Sequence, residues 1–337
     1  MNALPPNRFV SRRGFVGGLV GTASLSALAA LGAGRPRPAN PFAYDVRRFL
    51  VTDPQLLRYS EKKVFATPQP QPRALALAPN GHLFIAAGKY VSELEPEGTL
   101  LGELALTEEA RCLAVADDAI YVGSRRQVAV FDLKGTRRAT WETLPERACL
   151  TSLAVGANEL FAADAGQRVV LRYDRSGQLL ARLGERNPAR NVPGFIVPSP
   201  FFAVRLGADG LLRVTNPGRH RVELYTTGGD FEQAWGRAGA AIEHFCGCCN
   251  PINLALLADG RTVTFEKGIP RVKLHGADGA FTGVVAGAES FAENARVCGP
   301  DDCTLGGLDG VADAAGRIYI LDFVAGNVRV MEPKEAG

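Results

Sequence analysis

Five of the seven cysteines fall between Cys246 and Cys303, and three of them, Cys246, Cys248 and Cys249, are packed into the run FCGCCNP. Thiolates are soft ligands, so these three with Cys298 and Cys303 are candidates to hold an iron–sulfur cluster, a closed zinc site or Cu(I). His244, just ahead of the first cysteine, adds a candidate imidazole ligand. The spacings C-x-C-C and C-x4-C are not among the common cluster or zinc-finger signatures, so they leave the metal unnamed. Two other readings of the same residues stand beside this one. The cysteines could form disulfides, for instance Cys298 with Cys303 and a bridge from FCGCCNP to Cys149, or a redox-active dithiol. Three thiols so close in sequence fit poorly into three separate bridges, and an odd total leaves at least one outside any all-disulfide scheme. Both points favour the metal.

Other chemistries find no support in the chain. It contains no nucleophile elbow, zinc-protease helix motif or phosphate loop, which argues against a serine hydrolase or a P-loop enzyme. Cys112 reads as a small core hydrophobe in a strand, His82 as a solvated strand start and His275 as outward-facing.

The cysteines must be positioned by a chain that begins with an export signal. Ser11, Arg12, Arg13, Gly14 and Phe15 lead into an uncharged stretch to Gly34 rich in Ala, Gly and Leu, the anatomy of a signal peptide. The paired arginines resemble the twin-arginine (Tat) signal, which implies the Tat translocase as export partner and the periplasm as destination. If the segment is not cleaved, it is just long enough to serve as an N-terminal membrane anchor, since a spanning helix needs ~20 residues. Residues 35–60, with Pro36, Pro38 and Pro41 and a short helix expected near Asp53 to Tyr59, read as a tether. Arg8, Arg12 and Arg13 are the only charges of the signal, so removing them from the 38 basic residues leaves 35 against 35 acidic ones. A formally neutral mature chain lacks the basic excess that nucleic-acid binding needs.

From about Glu61 to the end at Gly337 the sequence repeats one phrase: a short apolar strand, an Asp/Asn/Gly turn, a second strand, a loop, a third strand, another Gly turn and a fourth strand. Six copies follow one another, from ALALAPNGHLFIAAG through CLAVADDAIYVGS, SLAVGANELFAAD, FFAVRLGADGLLRVTN and NLALLADGRTVTFEKG to DGVADAAGRIYILD. The last stops one strand short, and the run Lys62 to Thr67 is placed to supply that strand and close the ring, as a circular sheet requires. The expectation is an all-β, six-bladed β-propeller of four-stranded antiparallel blades, closed by an N-terminal strand. Trp141 and Trp235 end fourth strands and are expected to pack between blades.

The apolar second strand ending in Asp, followed by a short loop with Arg before Val, as in Asp164 to Arg168-Val169, resembles the NHL-repeat group of six-bladed propellers. Glu266 to Arg271-Val272 and Asn216 to Arg221-Val222 repeat the pattern, and Asp322 to Asn327-Val328 loses the Arg. In propellers of this type the loops between blades share a face with the loops joining second and third strands. The resemblance therefore implies that Cys246, Cys248 and Cys249, between blades four and five, and Cys298 and Cys303, between blades five and six, neighbour one another at one mouth of the channel, with His220 on the same face. Both connections are longer than the turn between blades one and two, a functional hint. Asp164, Asn216, Glu266 and Asp322 read as loop braces bonding backbone N–H groups.

The function expected from these readings is electron transfer or metal handling beside a periplasmic or membrane protein partner. A disulfide-stapled scaffold for a protein or ligand is the alternative. A third possibility rests on a resemblance to gluconolactonase-like propellers, which hold a divalent cation in the channel: Asn253 and Asp309 match two ligand positions, while Arg73, Ala74, Phe201 and Phe202 stand where the others belong.

Overall fold

The computed structural model describes residues 47–116, 118–291 and 306–335. The signal segment, most of the tether, Cys298 and Cys303 lie outside the described residues. Within them the chain forms six four-stranded antiparallel sheets, each one blade of a propeller. Blades one to five run consecutively over 72–105, 112–140, 150–183, 204–235 and 253–286. Blade six takes three strands from 308–333 and its outermost strand, Tyr59–Ala66, from the N-terminal side. That strand pairs antiparallel with Asn327–Pro333, from Tyr59 opposite Pro333 to Ala66 opposite Asn327, and closes the ring.

The turn chemistry that marks the repeats in sequence also shapes them. In three blades the turn is D-x-x-G: Asp132, Asp174 and Asp313 each accept two following backbone N–H groups, and Gly135, Gly177 and Gly316 supply the positive φ that ends the turn. The innermost strands Pro72–Leu77, Cys112–Ala116, Leu150–Val155, Val204–Leu206, Asn253–Leu256 and Leu308–Ala312 touch in sequence order, the last returning to the first, and line the channel.

Apolar packing lies between blades. Trp141, at the edge of blade two, sits between Tyr121 and Tyr173, with centroids 6.2 and 4.9 Å away. Its indole covers Gly177 in the outer turn of blade three, where a Cβ would stand 2.4 Å from the ring. Trp235 covers Gly279 of blade five in the same way. Both tryptophans thus pack between blades as expected.

The end of the tether is bound to the propeller. Asp53 caps a single 3-10 turn, Pro54–Leu56, where a short helix was expected. Leu57 then bridges Val284 on the outer strand of blade five, and the Thr52 hydroxyl donates to Glu289. Among the described residues no helix is long and apolar enough to cross a membrane.

Candidate functional site on the upper face

The cysteine loop, 236–252, is built on Phe245. The chain doubles back so that Phe245 N–H donates to Arg237 O and Gly239 N–H to Phe245 O. This drives the fully buried Phe245 ring against Trp235 and His275, and the Lys273 ammonium lies 4.3 Å over its centroid. His275 is buried in that stack and does not face outward, because its ring fills the space between Trp235 and Phe281. Burial, helped by Lys273, pushes its pKa down to about 3.

Beneath the loop is a buried ion triad. Glu266 receives Arg271 at 2.9 Å on one oxygen and Lys273 at 2.9 Å on the other, with all three side chains at most 1% exposed. Each member also holds the loop: Glu266 accepts the Cys246 N–H at 3.1 Å, and Lys273 and Arg271 donate to His244 O at 2.7 and 3.3 Å. Burial holds the Lys273 amine below its ordinary pKa, opposed by Glu266. Asn250 completes the anchorage by exchanging hydrogen bonds with the backbone of Lys267 and donating to Cys246 O.

On this frame the Cys248 and Cys249 sulfurs lie 3.4 Å apart, Cys248 exposed and Cys249 buried. His220, from the second-to-third-strand loop of blade four, donates to Gly247 O at 2.6 Å, so it shares a face with the cysteines. The His244 imidazole instead accepts from Arg237 Nε at 2.5 Å. Among the described residues no group of three or more His, Cys, Asp or Glu side chains converges as a metal site, so Cys246 and His244 do not join the Cys248–Cys249 pair. None of the five described cysteines is in a disulfide.

The brace positions hold backbone. Asp164 accepts N–H groups from Cys149, Gly166 and Gln167, Asn216 accepts that of Ile196, and Asp322 those of Val324 and Ala325. Cys112 is buried on the inner strand of blade two, where burial pushes its thiol pKa up. His82 is half-buried and pairs with Glu93 at 2.7 Å, a contact the solvated reading missed.

Beside the cysteine loop, the channel mouth opens into a cavity of about 250 Å³. Arg73 and Arg111, Phe201, Phe202 and Phe323, and Asn253 line it. Below, Asn253 donates to Asp309 at 2.5 Å, and Arg205 Nη2 reaches Asn253 Oδ1 and Asp309 Oδ1 at 3.3 Å each. Asp309 also accepts the Leu75 and Gly310 N–H groups at 2.8 Å. Burial raises its pKa, against the pull of Arg205. The two residues matched to a divalent-cation site do meet, but the Arg205 guanidinium already supplies the positive charge between them, and a cation would have to displace it. Sequence reasoning missed Arg205 and Lys273, whose only signal is a charged residue within an otherwise apolar strand, and it marked Arg271 as part of the repeat pattern without its pairing to Glu266.

No known protein family matches the sequence, and no curated protein matches it. Solved structures do. Virginiamycin B lyase from Staphylococcus aureus superposes with a TM-score of 0.55 at 12% identity, over 80% of this chain and 83% of that one. A streptogramin B lyase gives 0.53 at 11% identity, over 81% and 97%. A Bacteroides thetaiotaomicron protein of unknown function gives 0.59 at 12% identity, over 82% and 72%. At such identities the likeness is one of fold, and it places this chain among six-bladed β-propellers without assigning it a reaction.

Proposed function

We propose that this propeller carries a thiolate site for a soft metal ion or an iron–sulfur cluster on its upper face. Cys248 and Cys249 are its core, and Cys298 and Cys303, outside the described residues, are the further thiols the reading needs. The observation that carries it is the Cys248–Cys249 sulfur pair at 3.4 Å on a loop tied to a buried ion triad. Two thiolates on a tetrahedral metal, each at about 2.3 Å, stand ~3.8 Å apart, so a small opening of the pair admits an ion. Cys248 is exposed and Cys249 buried, so a bound centre would sit at the surface within reach of a partner. A loop fixed by buried charge suits a redox centre, because little needs to reorganise when an electron moves. The role that follows is electron transfer or metal handling in an exported, periplasmic protein working beside a periplasmic or membrane partner.

Metal and sulfide analysis with a visible spectrum, on full-length protein purified without oxygen or chelator, tests the reading. Stoichiometric iron with sulfide, zinc or copper is expected, and it should be lost in Cys248→Ser and Cys249→Ser variants that keep the wild-type circular dichroism. Metal-free protein, or metal content unchanged in the folded double variant, would overturn it. Metal-free protein with a bridged Cys248–Cys249 pair would make the loop a disulfide-stapled part of a binding scaffold.

A further inference from the structure

The channel-mouth cavity has a composition that the thiolate reading does not use. Arg73 and Arg111 lie on its wall, Arg73 exposed and Arg111 half-buried, and among the described residues neither makes an ion pair. Other described arginines are paired with carboxylates, including Arg172 with Glu159, Arg213 with Asp209 and Arg317 with Asp313. The buried carboxylate beneath the mouth, Asp309, is held by Arg205, Asn253 and two backbone N–H groups. Apolar surface is supplied by Phe201 and Phe323, with Phe202 buried behind them. Phe202 is buried and edge-on to Phe195 at 4.9 Å, which fixes its face, while Phe201 and Phe323 are half-buried. The Lys267 ammonium lies 4.5 Å over the Phe201 ring and adds positive field at the rim. Asn253 shows the cavity an amide whose orientation is locked from below by Arg205 and Asp309.

We propose that this cavity binds a small organic anion with a flat apolar body, its carboxylate or phosphate held by Arg73 and Arg111 and its body laid against Phe201 and Phe323, with the buried Phe202 behind them. Guanidinium groups match the planar, two-oxygen face of such anions and are weakly hydrated, so pairing there costs less than it would for lysine. The rings exclude a fully hydrated inorganic ion as the best occupant, because it would leave apolar surface uncovered. The volume, about 250 Å³, is near the lower end of small-ligand pockets, ~300–1,000 Å³, which limits the ligand to a body of one or two rings.

Calorimetric titration of the full-length protein with 1-naphthoate and phenyl phosphate, and with the neutral 1-naphthalenemethanol, tests this. Saturable binding of at least one of the anions is expected, weakening with added salt, and weakened about tenfold or more by Arg111→Gln or Arg73→Gln. The neutral compound should bind about tenfold more weakly than 1-naphthoate. Both arginines reach solvent, so circular dichroism and the thermal midpoint should be unchanged in the variants. If a variant fails to fold, the salt dependence and the neutral comparison on the wild type still decide. Absence of saturable binding by either anion, equal affinity for the neutral compound, or undiminished binding in the folded Arg73→Gln/Arg111→Gln double variant would overturn the proposal. Metal content is a separate readout, so the anion site and the thiolate site can fail independently.

Discussion

Acidification should loosen the floor beneath the cysteine loop, because His275 cannot take up a proton inside its present surroundings. The imidazole is 2% exposed, stacked on Trp235 at 4.6 Å between centroids and in contact with Phe245 and Phe281. Its Nδ1–H donates to Gly279 O at 3.3 Å, leaving Nε2 to accept the Thr264 hydroxyl at 3.0 Å. A proton on Nε2 would turn the Thr264 hydroxyl from donor to acceptor and put a positive charge into a buried site already facing the Lys273 ammonium. Burial first and Lys273 second bring the folded-state pKa from 6.5 to about 3. Between those values the unfolded chain binds a proton that the folded chain does not, so stability rises with pH and falls as pH drops from 6.5 toward 3. This one group should remove about 2.5 kcal/mol between about pH 7 and about pH 4.5, and roughly 4–5 kcal/mol once pH reaches the folded value. Urea unfolding of the wild type and of His275→Gln at those two pH values measures it. The wild type should lose about 2.5 kcal/mol more than the variant. Parallel losses, or an NMR titration placing His275 near its ordinary pKa in the folded protein, would refute the argument.

Two further perturbations probe the same architecture. Glu266→Gln keeps the shape of the brace but leaves Arg271 and Lys273 buried with no counter-charge; it should cost about 3–5 kcal/mol in urea unfolding and speed maleimide labelling of the buried Cys249, whereas unchanged stability and labelling would mean that the triad does not hold the loop. Gly177→Ala places a Cβ 2.4 Å from the Trp141 indole at a φ of +96° and should lower stability by ~2 kcal/mol, read as a fall in the thermal midpoint; an unchanged midpoint would contradict the seating of Trp141 between blades two and three.

The propeller was legible because its signals are local and repeated. Asp-x-x-Gly turns such as Asp174 to Gly177 encode their own geometry within four residues, and six copies in phase leave little freedom for the rest. Closure by the N-terminal strand was legible for a topological reason: a sixth blade lacking one strand has an open edge. The brace role of Asp164, Asn216, Glu266 and Asp322 followed from their place at the ends of second strands. The surroundings of His275 and the role of Arg205 were not legible, because each is set by residues far away in sequence. His275 lies forty positions from Trp235, and Arg205 more than a hundred from Asp309. A lone His near a strand end is as compatible with solvent as with an aromatic stack until the neighbouring blade is in place. The cysteines were legible as a cluster in sequence, while their spatial grouping reduces to Cys248 and Cys249 among the described residues.

Comparison of the braces within this one chain shows what sets the cysteine loop apart. In blade three, Asp164 takes the N–H of Cys149 from the incoming inter-blade loop, and in blade four Asn216 takes that of Ile196. Blade five does the same with Glu266 and Cys246, but with a side chain one methylene longer and with Arg271 and Lys273 drawn in behind it. An Asp serves in blade three where the loop only has to stay attached, and in blade four Asn216 is backed by one ion pair, the buried Glu223 with Arg221. Burying two cations and one anion is a costly way to do that job, since apolar residues of similar size would leave the blade as stable or more so. What the triad adds is direction. Three charged groups converge on Cys246 N–H and His244 O, and they fix the backbone immediately ahead of Cys248 and Cys249 in the loop. The buried triad therefore lies at the base of the loop that carries the vicinal sulfur pair, which is where a thiolate centre would need the backbone to resist movement.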